Sequence, residues 1–124
     1  MTKNKSLLIT GLVVGSFLVA VSSGSAALLG RTDYVTINRA VALPGVVLAP
    51  GQYVFEAVEG RPDIVRVFDR PTKRVLYMGF TELIPRPDSV TNVLSLGEAN
   101  EGEPVPIKAW FPTGARRGHA FAHR

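Results

Sequence analysis

The chain has 124 residues, 46% of them hydrophobic, with a formal net charge of +4 and no cysteine. That length fits one small domain behind a targeting segment and no more. Without cysteine there is no disulfide, no thiolate for zinc and no N-terminal cysteine for lipid attachment, so packing and strand pairing must hold the fold.

The charge is less basic than it looks. Lys3 and Lys5 open the chain, and residues 28–124 hold twelve Lys and Arg against ten Asp and Glu. A net +2 gives no basic surface of the kind a phosphate backbone demands, so nucleic acid is not expected as a partner.

The two lysines precede an uncharged run, Ser6–Gly30, with an apolar centre from Leu7 to Val21 and the small-residue patch Ser22-Ser23-Gly24-Ser25-Ala26-Ala27. A basic start, an apolar middle and small residues at a cut site are the grammar of an export signal. Gly24 with Ala26, or Ser25 with Ala27, meets the small-residue rule. Residues 1–27 are therefore expected to form a hydrophobic signal helix and 28–124 a single domain that is periplasmic or secreted. The alternative is a retained anchor: Leu7–Leu29 is 23 residues without a charge, and about 20 suffice to cross a bilayer. In that case the domain is anchored to the inner membrane and faces outward, and only then does the chain contact a membrane.

Beyond residue 31 no apolar helical period persists over two turns, and β-branched and aromatic residues come in short bursts cut by Pro and Gly. Val35, Ile37, Val41 and Leu43 share one parity and are expected on one buried face of a first strand. Pro44-Gly45 ends it with type II turn chemistry. Val46–Leu48 follows, then Pro50-Gly51, then Gln52–Glu59, where Tyr53, Phe55 and Ala57 face one way. Ile64–Phe68 and Val75–Phe80 read as a hairpin around Asp69-Arg70-Pro71, with Asp69 capping the turn. Leu83-Ile84 is expected to close the return strand before Pro85 and Pro87, which cannot donate to a ladder. Val90–Leu96, Ile107–Phe111 and His119–His123 complete the strands, with a solvated loop at Gly97–Pro106. Six to eight short strands with regular turn signals predict an all-β fold, a small antiparallel sandwich or, alternatively, a small barrel.

The stretch Val41-x-Leu43-Pro44-Gly45-x-Val47-Leu48-x-Pro50-Gly51-x-Tyr53-x-Phe55 resembles the opening of a family of small exported all-β bacterial proteins of unknown function. The likeness continues through Val65-x-Val67-Phe68, Leu83-Ile84-Pro85, Gly102-Glu103-Pro104-x-x-Ile107-Lys108-Ala109-Trp110-Phe111-Pro112-x-Gly114 and Gly118-His119-x-Phe121. The resemblance implies a shared β fold and export, and no activity. The chain departs from the pattern at Ala120 and His123, where relatives carry an acidic residue and a tyrosine. It also has Leu48-Ala49-Pro50-Gly51 in place of a Leu-Pro-Ala-Gly corner.

Five residues are candidates for partner or ligand contact: Trp110, Phe111, Arg116, Arg117 and His119. Trp110 and Phe111, adjacent on a strand, face opposite sides, so one ring fills the core while the other meets solvent or a partner; the alternative is that both are buried. His119 and His123 would stand about 13 Å apart on a strand, too far to share an ion, and read as solvated groups in a fraying tail. Lys108, Arg116, Arg117 and Arg124 form a C-terminal cation cluster suited to anionic envelope polymers or lipid headgroups. No nucleophile elbow, cysteine nucleophile, phosphate loop or metal-binding pattern occurs, so no catalytic residue, metal or cofactor is expected. The reading is a non-catalytic envelope or secreted interaction module, whose partner is a cell-envelope protein or an anionic polymer. A lipid or sugar binding domain is the alternative, with a small hydrolase behind it.

Overall fold

A computed structural model describes residues 19–23 and 31–123. The described residues are all-β, as their alternation requires, and eleven strands among them form two sheets packed as a sandwich. The strands are β1 (Val19–Ser23), β2 (Thr32–Ile37), β3 (Val41–Leu43), β4 (Val46–Leu48), β5 (Gly51–Val58), β6 (Arg61–Asp69), β7 (Val75–Phe80), β8 (Glu82–Pro85), β9 (Leu94–Leu96), β10 (Val105–Trp110) and β11 (Arg117–Ala120). The first sheet is antiparallel with order β1-β2-β5-β6-β7. The second runs β4-β3-β10-β11-β8, with β9 also on β10, and is mixed because β3 and β10 pair in parallel.

The expected alternation places the core. Val35 and Ile37 of β2, Tyr53, Phe55 and Ala57 of β5, and Val65 and Val67 of β6 are buried on the inner face of the first sheet. Val41, Leu43, Leu48, Val105, Ile107, Trp110 and Phe121 meet them from the second. At ~1.5–3 kcal/mol for each large apolar side chain removed from water, this shared layer is the main force holding the sheets together.

Three expectations about strand boundaries change. The first burst is two strands in different sheets: the chain leaves the first sheet after Ile37 and enters the second at Val41. Common parity persisted because both halves face the same core from opposite sides. Leu83-Ile84 likewise does not extend the hairpin; it belongs to β8, which pairs with β11. The Val90–Leu96 strand shrinks to Leu94–Leu96, and the two turn motifs differ. Gly45 has φ +80°, which suits the left-handed position of a type II turn, whereas Gly51 begins β5. The β6–β7 turn is built as expected, with Asp69 Oδ2 accepting from the Thr72 amide at 3.0 Å and its hydroxyl at 2.6 Å. Those two bonds hold the Asp69 carboxyl below its ordinary pKa.

Of the segment read as an export signal, Val19–Ser23 is extended and pairs with β2 from Val19↔Ile37 to Ser23↔Asp33. The remainder of that segment, and with it the expected signal helix and cut site, lies outside the described residues. Among the described residues no helix is long and apolar enough to cross a membrane.

Candidate functional site

The parity of β2 turns Asp33 inward beside Val35 and Ile37, and a buried carboxyl must find donors. It finds two. Trp110 Nε1 donates to Asp33 Oδ2 at 2.9 Å and the Thr113 amide donates to the same oxygen at 3.1 Å. Trp110 reaches the core because β10 carries an irregularity between Ile107 and Ala109. That shift moves Trp110 onto the face of Val105 and Ile107, where its ring lies 5.8 Å from Phe55.

Phe111 takes the opposite side, as adjacent strand residues should, yet it too is buried. Its ring packs over Gly118, and the Arg86 guanidinium sits 5.9 Å from its centroid. Arg86 then organises the next loop, donating to the carbonyls of Pro112 at 3.2 Å and Ala115 at 3.4 Å. Pro112–Ala115 closes as a turn, with the Ala115 amide on the Pro112 carbonyl and Gly114 at φ +79°. Asp33 from the first sheet and Arg86 from the second thus clamp this loop.

His119 is not in a frayed tail. It is 4% exposed, pairs with Trp110 across β10–β11, and stacks on that indole at 5.0 Å and 22°. Thr81, where the chain crosses from β7 to β8, donates its hydroxyl to the Asp63 carbonyl at 3.0 Å. The hydroxyl has one hydrogen, so the 3.2 Å contact to His119 is Nδ1–H donating to Thr81 Oγ1. Nε2 then carries the imidazole lone pair. His123 lies apart, with Nε2 2.7 Å from the Ile107 carbonyl.

Burial holds the His119 pKa below its ordinary value near 6.5. The unfolded chain therefore binds a proton more readily than the folded one. Stability is complete above about pH 6.5 and is lost as pH falls toward the lower folded pKa. The urea midpoint should accordingly drop on acidification through this window, with a matching change in Trp110 fluorescence. His119→Asn, which keeps a donor for Thr81 but cannot titrate, should flatten that slope.

These links border a cleft of about 450 Å³ at the seam between the sheets. Arg31, Ala57 and Pro62 line it from the first sheet, and Leu83, the Pro112–Arg117 loop and His119 from the second. Arg31 is fixed by the Ala57 amide donating to its carbonyl at 3.0 Å, and its guanidinium reaches toward Gly114. Arg116 and Arg117 flank the loop and are exposed. Three arginines therefore line one concavity with an apolar floor, and among the described residues no carboxylate lines it. A hollow on the outer face of the first sheet, between Tyr34, Phe68, Arg70 and Lys73, differs in having Glu56 in its wall.

Of the five candidates, Arg116, Arg117 and His119 come together in this cleft. Trp110 and Phe111 lie behind it as its support, both buried. Arg31, Arg86 and Asp33 are the residues that sequence reasoning missed. The architecture defines a class: a small β-sandwich with an arginine-lined cleft where its two sheets meet. No protein-family model, curated protein or solved structure matches the chain.

Proposed function

We propose that this is an exported, non-catalytic binding module that takes a phosphate-bearing component of the cell envelope into the Arg31–Arg116–Arg117 cleft. The observation that carries this reading is the gathering of three arginines, Arg31 from the first sheet and the adjacent Arg116 and Arg117 from the second, around one apolar-floored concavity with no carboxylate among its described lining residues. Guanidinium forks match oxyanions in geometry and stay charged at any physiological pH. The apolar floor of Ala57, Pro62, Leu83 and Pro112 suits the carbon chain next to the anion. Export is supported by the signal grammar of residues 1–27. Binding is favoured over chemistry because Arg31, Arg116 and Arg117 stay protonated at physiological pH, and the described residues lining the cleft include no serine, cysteine or carboxylate.

The same phosphate chemistry occurs on a polymer and on a lipid, and two probes separate them. Poly(glycerol phosphate) chains and phosphatidylglycerol vesicles should be titrated against the protein and against Arg116→Glu with Arg117→Glu. Binding to at least one probe is expected, weakening as salt rises, and the double variant should lose it by about tenfold or more. Both substitutions are at exposed positions, so the urea midpoint should stay within ~0.5 kcal/mol equivalent of the parent. Retained affinity in a folded double variant contradicts the proposal.

A further inference from the structure

The edges of the two sheets are treated differently by the sequence. In the second sheet, β4 is three residues long between Pro44 and Pro50, and β8 contains Glu82 and Pro85. Short length, charge and proline are the devices that keep an edge from pairing. At the far edge of the first sheet, β7 has none of them: Val75-Leu76-Tyr77-Met78-Gly79-Phe80 is six residues without a charge or a proline. Among the described residues only β6 pairs with it. On the outer face of β7 stand Val75, Met78 and Phe80, at 50%, 56% and 68% exposure, with the Arg61 guanidinium 5.7 Å from the Phe80 ring and an irregularity in the β6 pairing near Val75.

We infer that β7 pairs with β7 of a second copy, antiparallel and centred on Met78, joining two first sheets into one continuous sheet. Charge selects this occupant and this direction. Arg74 precedes the strand and Glu82 follows it, each four residues from Met78, and both are exposed. Antiparallel pairing on Met78 brings Arg74 of each copy to the Glu82 end of the other. The two-fold axis makes this complement twice. Parallel pairing would instead set arginine against arginine and glutamate against glutamate, which is unfavourable across strands. Met78 meets its own copy, Tyr77 meets Gly79, and Phe80 lies near the Val75 end of the neighbour. The exposed apolar rows of the two copies thereby become neighbours on one continuous outer face.

The test is sedimentation equilibrium over a concentration series, on protein isolated from an exporting bacterial host in the form that host leaves it. A monomer–dimer equilibrium is expected. Met78→Lys, which sets two ammonium groups face to face, should weaken it by about tenfold or more. Arg74→Glu alone and Glu82→Arg alone should each weaken it, and the double exchange Arg74→Glu with Glu82→Arg should restore it. All these positions are exposed, and an unchanged urea midpoint verifies the fold of each variant. A monomer at every concentration, a dimer indifferent to Met78→Lys, or a double exchange that restores nothing overturns the inference. So does a monomeric chain that floats with phosphatidylglycerol vesicles through Phe80 and independently of Arg116. The phosphate cleft is a separate surface, so failure here leaves the binding proposal standing.

Discussion

Trp110→Ala should unfold a large fraction of the molecules at ambient temperature. The indole is fully buried among Phe55, His119 and Asp33. Truncating a core tryptophan costs ~3–5 kcal/mol. Leaving Asp33 without its indole donor adds ~1–3 kcal/mol, against a total stability of ~5–15 kcal/mol for a small domain. Trp110→Phe separates the two contributions, since it keeps an aromatic ring but not the Nε1 donor. It should cost less than the alanine change, and its cost should shrink when Asp33 is also replaced by Ala, because the carboxyl that lost its indole donor is then gone. Urea unfolding of the two single variants and the pair measures that coupling. Additive costs would mean that the Asp33–Trp110 bond does not join the sheets.

Gly118→Ala should also destabilise the fold, for a reason of space and not of backbone angle. A Cβ at this position would lie 2.3 Å from Phe111 Cδ1 and 3.0 Å from the Trp110 carbonyl oxygen. The Phe111 ring, 3% exposed and lidded by Arg86, cannot swing away without opening the loop that carries Arg116 and Arg117. Overpacking of this kind costs ~1–3 kcal/mol and can exceed that where backbone is involved. Stability measured by urea should fall accordingly, and Phe111→Leu in the same chain should recover part of the loss. If Gly118→Ala alone is neutral, the close approach of β11 to Phe111 is wrong.

Most of the sandwich was legible in the sequence because period-2 burial is a local signal. Tyr53, Phe55 and Ala57, or Val65 and Val67, declare their face by spacing alone. What spacing cannot report is which sheet a strand joins. Val35, Ile37, Val41 and Leu43 form one pattern, yet the chain crosses between sheets at residues 38–40, since both inner faces demand the same alternation. The irregularity between Ile107 and Ala109 is equally silent in composition, and it decides that Trp110 joins Val105 and Ile107 on the face between the sheets.

The candidate site was half legible. Arg116 and Arg117 stand out as a cation pair in the last stretch of chain, and His119 follows them two residues on. Arg31 could not be found that way, because it meets the Pro112–Arg117 loop only through the pairing of the two sheets. Asp33 did leave a signal: a carboxyl sharing parity with Val35 and Ile37 must face inward and requires a donor. Trp110 is the one indole in the chain. The reading of His119 as solvated failed because proximity to the C-terminus says nothing about pairing, and β11 is held between β10 and β8.

The most direct test of the central claim, that the seam between the sheets is an anion site, is an amide-shift titration of the isotope-labelled protein with poly(glycerol phosphate). Saturable shifts concentrated at Arg31, Ala57 and Gly114–Arg117, fading as salt is added and absent in the Arg116→Glu with Arg117→Glu variant, are the expected result. Shifts confined to the outer face around Arg70 and Lys73, or none at any concentration with either the polymer or phosphatidylglycerol vesicles, would contradict it.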